Sequence, residues 1–243
     1  MRRHIGNVSL GKRPRVVYAV AGPSRAVRRL GRRGVDVLEW RIDWMAREPT
    51  ARRLIHDANA LRRAGLPLIA TVRRADEGGR AQWSDTRRLR LYTLLAPLVD
   101  ALDVELRSTA LLEDVGRLAR AWHKTLILSF HDFAATPSIA RLDQTIRQAR
   151  RHGADVVKVA TLARSADDVL RLLRLTLRHR TAPLVTIALG PRGAISRILF
   201  PLLGSVLTYT SLSPSHGQLP LKQLVDGLRR SAPQRLSSVV RSR

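Results

Sequence analysis

Lys158 is one of only four lysines in a chain of 243 residues that carries 44 basic side chains. The others are Lys12, Lys124 and Lys222; every remaining basic residue is an arginine. Lys158 lies in Ala154-Asp155-Val156-Val157-Lys158-Val159-Ala160, an apolar run that reads as a buried strand. A guanidinium stays protonated at physiological pH and is no nucleophile, whereas a lysine amine in a desolvated pocket can shed its proton and attack a carbonyl. In a chain that uses arginine wherever charge alone will do, this lysine is a candidate for imine chemistry. The plainer reading is equally open at this point: a stray lysine that snorkels from the strand end or pairs with Asp155.

Other chemically capable residues fall at the ends of apolar runs. Leu126-Ile127-Leu128-Ser129-Phe130 leads into His131-Asp132-Phe133, and an imidazole there suits general acid–base work because it titrates near neutrality. The expectation is that turnover falls below neutral pH as His131 takes up a proton. A hydrogen-bonded structural histidine is the alternative. His216 lies in the last long loop and is a second candidate; the other five histidines fall in the N-terminal arm or in helical and helix-end positions. Glu39, Arg41 and Asp43 alternate, which puts them on one face of a strand; three such charges must pair or bind something polar. Arg73 closes another run, and Glu77 follows it in a loop softened by Gly78 and Gly79. Asp103 and Glu105 share a face and could orient a neighbouring base or pair with arginine. Arg197 falls near the start of a helix, where free N–H groups and a guanidinium together suit a carboxylate or phosphate. The polar stretch from Ser211 to Gln218 could fold over a substrate as a lid. With no cysteine, no H-E-x-x-H and no P-loop, no metal site or nucleotide motif competes.

The elements that must position these groups alternate. Strand-length apolar runs cover residues 15–20, 35–41, 67–72, 101–106, 125–130, 154–160, 183–189 and 205–209. Between them lie helix-period segments with start signals at Thr50, at Pro137 after Thr136, and at Ser165-x-x-Asp168. Eight strand–helix units in a chain of this length predict a single (β/α)₈ TIM barrel, an α/β fold with active groups at the C-terminal ends of its strands. A doubly wound open sheet shares the alternation, but Ala21-Gly22-Pro23-Ser24 lacks the glycine-rich fingerprint after the first strand. No linker divides the chain. One domain is expected over residues 1–243, with residues 1–13 as a short irregular arm.

Charge and composition bound the partners. Hydrophobic residues at 44 % support a core. A net charge of +25 admits nucleic acid or an anionic membrane, yet the arginines are dispersed and aromatic residues are only 4 %, too few to supply stacking platforms. A small anionic substrate is expected, with no specific nucleic acid and no membrane association. No secretory signal is legible, and a cytoplasmic protein is the default.

The residues also carry a resemblance. Glu39-x-Arg41-x-Asp43, Arg73-x₃-Glu77-Gly78-Gly79, Ser129-Phe130-His131-Asp132-Phe133-x₂-Thr136-Pro137, Gly153-Ala154-Asp155-x₂-Lys158-x-Ala160, Gly193-x₂-Ser196-Arg197 and Gly217-Gln218 occur in this order over nearly the whole chain. The series resembles type I 3-dehydroquinate dehydratase. The resemblance implies a TIM barrel that dehydrates 3-dehydroquinate to 3-dehydroshikimate in the shikimate pathway, without metal or organic cofactor. It implies an imine at Lys158, His131 as acid and base, and Glu77 as the carboxylate that tunes the histidine. It assigns Glu39, Arg41 and Arg73 to the substrate hydroxyls and the imine side, Arg197 to the substrate carboxylate, and Gln218 to closure. The family's last loop usually reads Ser-Ala-Pro-Gly-Gln. Here the usual serine position falls on Pro214, which leaves Ser213 or Ser215 as its substitute, and Ser215 is taken as the substrate contact. A homodimer is a further expectation of the resemblance. The alternatives are a class I aldolase using Lys158 and, from charge alone, a nucleic-acid-binding protein.

Overall fold

The structure, a computed structural model, describes residues 2–45 and 47–231; Met1, Ala46 and residues 232–243 of the expected domain lie outside the described residues. The arm is not irregular. It is a hairpin, β1 (His4–Ile5) paired antiparallel with β2 (Val8–Ser9). Its order follows from burial: Ile5 and Leu10 pack with Val17, Val37, Ile69, Ala101, Ile127 and Val156. The hairpin thereby plugs the N-terminal end of the barrel, and Thr125 Oγ1 donates to His4 O at 2.7 Å.

Eight parallel strands follow: β3 (Val16–Val20), β4 (Val37–Arg41), β5 (Leu68–Thr71), β6 (Ala101–Glu105), β7 (Thr125–Asp132), β8 (Val156–Leu162), β9 (Leu184–Leu189) and β10 (Thr208–Ser211). The sheet order is β10-β3-β4-β5-β6-β7-β8-β9. Val206 N, just before β10, donates to Leu184 O at 2.9 Å and draws the two ends together. The result is a nearly closed barrel. All eight strands fall on the apolar runs, because parallel strands covered on both faces need apolar residues at successive positions.

Seven of the eight strands are followed by an α-helix: α1 (Ala51–Arg62), α2 (Asp85–Leu95), α3 (Thr109–Ala121), α4 (Ile139–Arg151), α5 (Ala166–Arg178), α6 (Ser196–Leu203) and α7 (Leu221–Ser231). Thr50 caps α1 and Ser165 forms a reciprocal box with Asp168 at α5, as expected. The cap of α4 is Ser138, one residue beyond the proposed Pro137. The first crossover departs from the eight-unit expectation. It holds two single turns of 3₁₀ helix, Val27–Arg29 and Gly31–Arg33. Val27 and Leu30 are its anchors in the core, with arginines between them, too narrow an apolar stripe for a full helix.

Burial divides the core into an outer shell between sheet and helices, with Leu38, Trp40, Leu54, Tyr92 and Phe200, and an inner barrel core. The inward positions near the strand starts are apolar. Two and four residues further along the same strands, they become Glu39, Arg41, Asp103, Glu105, Ser129, His131 and Lys158. That change along the strand is what makes the site.

Candidate active site

The inward polar residues line a cavity of about 700 Å³ at the C-terminal ends of the strands, within the range for small-molecule sites. Lys158, Glu39, Arg41, Arg73, Glu77, His131, Arg197, Ser215 and Gln218 all border it. These nine are therefore gathered around one space, whereas Asp43, Asp103 and Glu105 do not line it.

Lys158 does not snorkel outward, and Asp155 is not its partner; Asp155 instead accepts from Leu126 N and Arg2 N. The amine is 4 % exposed and donates to Asp103 Oδ2 at 3.0 Å and Glu39 Oε1 at 3.4 Å. Its third neighbour is the ring of Tyr209, with the centroid 4.2 Å from Nζ. Asp103 is held on its other oxygen by Ser129 Oγ at 2.6 Å and Arg73 at 3.1 Å. Burial alone would raise the Asp103 carboxyl, but Arg73 and Lys158 more than offset that and hold it below the ordinary carboxylate range.

Arg73 is the hub of the floor. It donates to Glu105 Oε1 at 2.8 Å and Ser129 Oγ at 2.6 Å, while Glu39 Oε1 lies 4.0 Å away. Glu105 is bonded on its far oxygen to the buried Arg88 of α2, which also grips Val72 O at 2.9 Å. Arg73 is thus built into the barrel wall, and its guanidinium reaches the cavity already saturated with anions.

Glu77 stands in a 3₁₀ turn, Ala75–Glu77, rather than a soft loop. A Cβ on Gly79 would sit 2.2 Å from Arg73 O, so the glycine lets the turn close tightly. The turn drives Glu77 inward until Oε2 accepts from His131 N at 2.9 Å and meets His131 Nδ1 at 3.1 Å. That contact leaves Nε2 as the free nitrogen of the ring. Burial opposes charge on both partners. It raises the Glu77 carboxyl to about 7, against the opposing pull of Arg73. It pushes the His131 imidazole well below its ordinary value, helped by Arg73 and Lys158. The pair thus holds a neutral imidazole backed by a carboxyl that takes up a proton near neutrality. The same burial moves proton uptake by His131 to lower pH than the ordinary imidazole value on which the sequence expectation rested.

Asp43 does not continue the β4 face. The strand ends at Arg41, and Ile42–Trp44 turns in a 3₁₀ segment. Asp43 is fully buried and takes both ends of Arg41, at 2.9 and 2.7 Å. Arg41 also lies over Trp44, 4.6 Å from the ring centroid. These contacts orient the guanidinium without closing the cavity.

Arg197 is different. It is 2 % exposed at the start of α6, and no carboxylate pairs with it among the described residues. Among the described residues its guanidinium makes one hydrogen bond, to His216 O at 3.2 Å, and Nε has no partner. Burial lowers the guanidinium to about 10. An uncompensated buried cation is costly, which makes Arg197 a candidate anion site.

These observations gain an identity from comparison. The family profile described as Type I 3-dehydroquinase matches residues 19–234. The chain belongs to the type I 3-dehydroquinase family. The 3-dehydroquinate dehydratase of Methanosarcina barkeri is 35 % identical over 238 residues, covering 93 % of this chain and 97 % of the relative. The crystal structure of 3-dehydroquinate dehydratase from Geobacillus kaustophilus superposes with a TM-score of 0.87 at 31 % identity, covering 93 % of this chain and 95 % of that one. The type I enzyme of Clostridium difficile, solved with covalently modified comenic acid, gives 0.87 at 26 % identity, covering 93 % and 96 %.

Against this type I 3-dehydroquinase frame, the lid differs most from the sequence expectation. Ser213 and Ser215 both reach the cavity rim, but the buried serine is Ser211, whose Oγ donates to Gln218 Oε1 at 3.0 Å. The imidazole of His216 sits at the rim, edge-on to Phe133 with centroids 5.2 Å apart. Its backbone carbonyl is the inward group, accepting from Arg197 and from Gly190 N at 3.1 Å. Gly217 makes this possible: a Cβ there would lie 2.1 Å from Gly190 O. Sequence reasoning also passed over Tyr209. Its signal was alternation, since Leu207 and Tyr209 point the same way from the strand.

Proposed function

We propose that this chain dehydrates 3-dehydroquinate to 3-dehydroshikimate through an imine on Lys158. The observation that carries the reading is one cavity bordered by a buried primary amine, an imidazole whose charged form burial disfavours, and a cation with no counter-ion among the described residues. Membership of the family supports the substrate.

The substrate carboxylate docks on Arg197 and its hydroxyls on Glu39, Arg41 and the lid, where Gln218 and Ser215 close the mouth. Arg73 holds the imine side through Asp103 and Ser129. Lys158 Nζ attacks the C3 ketone, and the carbinolamine expels water to give a protonated imine. That cation withdraws electrons and acidifies the neighbouring C2–H. His131 Nε2 takes the C2 proton, and the C–H electron pair moves toward nitrogen as an enamine. The enamine returns its electrons to expel the C1 hydroxyl, which leaves as water with the proton that His131 carries. Hydrolysis of the conjugated imine frees the product and restores the amine. The net change is loss of one water. Glu77 keeps the imidazole turned so that Nε2 faces the substrate.

Residues 1–243 act as one catalytic domain in this reading, in the cytoplasm where small-molecule biosynthesis runs, and as a homodimer that light scattering would detect. The deciding experiment is incubation with 3-dehydroquinate and borohydride followed by peptide mass mapping. A reduced adduct on Lys158 is expected. Turnover with no adduct at that residue would remove the imine from the mechanism.

A further inference from the structure

The covalent step changes the hydrogen-bond inventory around Lys158. An ammonium has three N–H donors, whereas a protonated imine has one. In the free protein Nζ serves two buried carboxylates, Asp103 Oδ2 at 3.0 Å and Glu39 Oε1 at 3.4 Å. Once nitrogen is double-bonded to substrate, it can serve one of them. Asp103 is the nearer and keeps Ser129 and Arg73 on its other oxygen. Glu39 is left with Thr71 Oγ1 at 3.0 Å, and Arg73 comes no closer than 4.0 Å. Glu39 is the anion that runs short of donors, and a buried carboxylate that loses a donor is destabilised.

Tyr209 stands beside this gap. It projects from β10 into the barrel and is 3 % exposed. Its ring face lies against Nζ. Its hydroxyl is buried and has no partner among the described residues. Phenylalanine would present the same face without burying an orphan hydroxyl, so packing gives no reason for the oxygen. Burial, with the negative charge of Glu39 and then of Asp103, keeps the proton on it and so preserves it as a donor.

We infer that Tyr209 is a positioning residue for the covalent step: its hydroxyl turns to Glu39 when Lys158 becomes an imine, while its ring face supports the cationic nitrogen. The inference rests on the imine reading above. Glu39 then keeps its orientation toward the substrate through the steps in which nitrogen is unable to hold it.

The test compares wild type, Tyr209→Phe and Tyr209→Leu by borohydride trapping over a range of 3-dehydroquinate concentrations, read by intact mass, with melting of each free protein. Wild-type trapping at Lys158 checks the imine reading by itself; if it fails, both readings fall. Given that trapping, free Tyr209→Phe melts at or above wild type, because it loses an unsatisfied group. It needs about tenfold more substrate for half-trapping, the lower end of what a hydrogen bond to a charged group contributes. Tyr209→Leu, which also loses the ring face, needs roughly a further tenfold more substrate for half-trapping. Trapping and turnover of Tyr209→Phe equal to wild type would overturn the inference. So would a free Tyr209→Phe that melts well below wild type, since the hydroxyl would then already be bonded before substrate arrives.

Discussion

Arg197→Met should make the free protein more stable and the enzyme far worse. The guanidinium is buried without a carboxylate among the described residues, and burial lowers it from its ordinary value to about 10. At 1.36 kcal/mol per tenfold, the charged form is disfavoured by roughly 3 kcal/mol. The sign is clear: a base whose folded value is depressed, and which stays protonated at neutral pH in both states, destabilises the fold there. Methionine removes the charge and keeps most of the stem, but it takes one of two donors from His216 O and leaves only Gly190 N, a loss of about 1 kcal/mol. A net gain of about 2 kcal/mol raises the melting temperature by roughly 4–8 °C in a domain of this size. With substrate the balance reverses. Removing one partner of a buried, hydrogen-bonded charge pair costs about 2–5 kcal/mol, so kcat/KM falls by roughly 30-fold to several thousand-fold. Differential scanning fluorimetry without substrate and enone absorbance with 3-dehydroquinate read the two halves separately. A variant that melts below wild type and keeps activity within about threefold would show that Arg197 is a structural cation, and the anion-site reasoning would fail.

Three other outcomes follow from the same geometry. Lys158→Ala and Lys158→Arg both abolish turnover and borohydride trapping, because a guanidinium has no usable lone pair; trapping in the arginine variant would refute the assignment. His131→Ala retains an imine that borohydride captures but loses at least about 100-fold in kcat, the lower range for a positioned acid–base group; an unchanged rate would take His131 out of the mechanism. The pH profile of kcat/KM shows a shallow step near 7, where Glu77 takes up a proton, and a steep fall well below 6.5, where the depressed imidazole does. Glu77→Gln removes the step and leaves the lower limb; a profile falling steeply at the ordinary imidazole value would contradict the burial argument.

The barrel was legible because both faces of its strands are covered, so the runs around Val156–Leu162 and Leu184–Leu189 are apolar at nearly every position. Against that background an inward lysine or histidine stands out, and alternation gives its direction. The first crossover was not legible as a break. Val27 and Leu30 with interspersed arginines fit a short helix as well as two 3₁₀ turns, and only three-dimensional packing separates them. Asp43 was misplaced because alternation holds only while the strand lasts, and β4 ends two residues earlier. The partners of Lys158 were hidden for a different reason. Asp103 and Glu39 are 55 and 119 residues away in sequence, and which of several inward carboxylates meets the amine depends on the stagger of the closed barrel.

Charge pairing across the site explains why the substrate should be an anion and where its charge goes. Arg73 and the buried Arg88 are matched by Asp103 and Glu105, and Arg41 by Asp43. Lys158 rests between Asp103 and Glu39. These groups enclose the reacting amine in compensated charge, so forming an iminium there replaces one cation with another and leaves the local field little changed. Arg197 stands outside this network, and its missing partner is one negative charge, which is what a monocarboxylate brings. The chain's net charge of +25 acts at longer range to raise the encounter rate of any small anion, but it does not choose among them. Choice falls to the distance between two fixed points: a guanidinium that accepts the carboxylate and an amine that condenses only with an aldehyde or ketone carbonyl. An anion lacking the ketone satisfies the first point and stops there, bound but unreacted. The geometry therefore makes simple carboxylates of similar ring size competitive inhibitors, protected from chemistry by having nothing for Lys158 to attack.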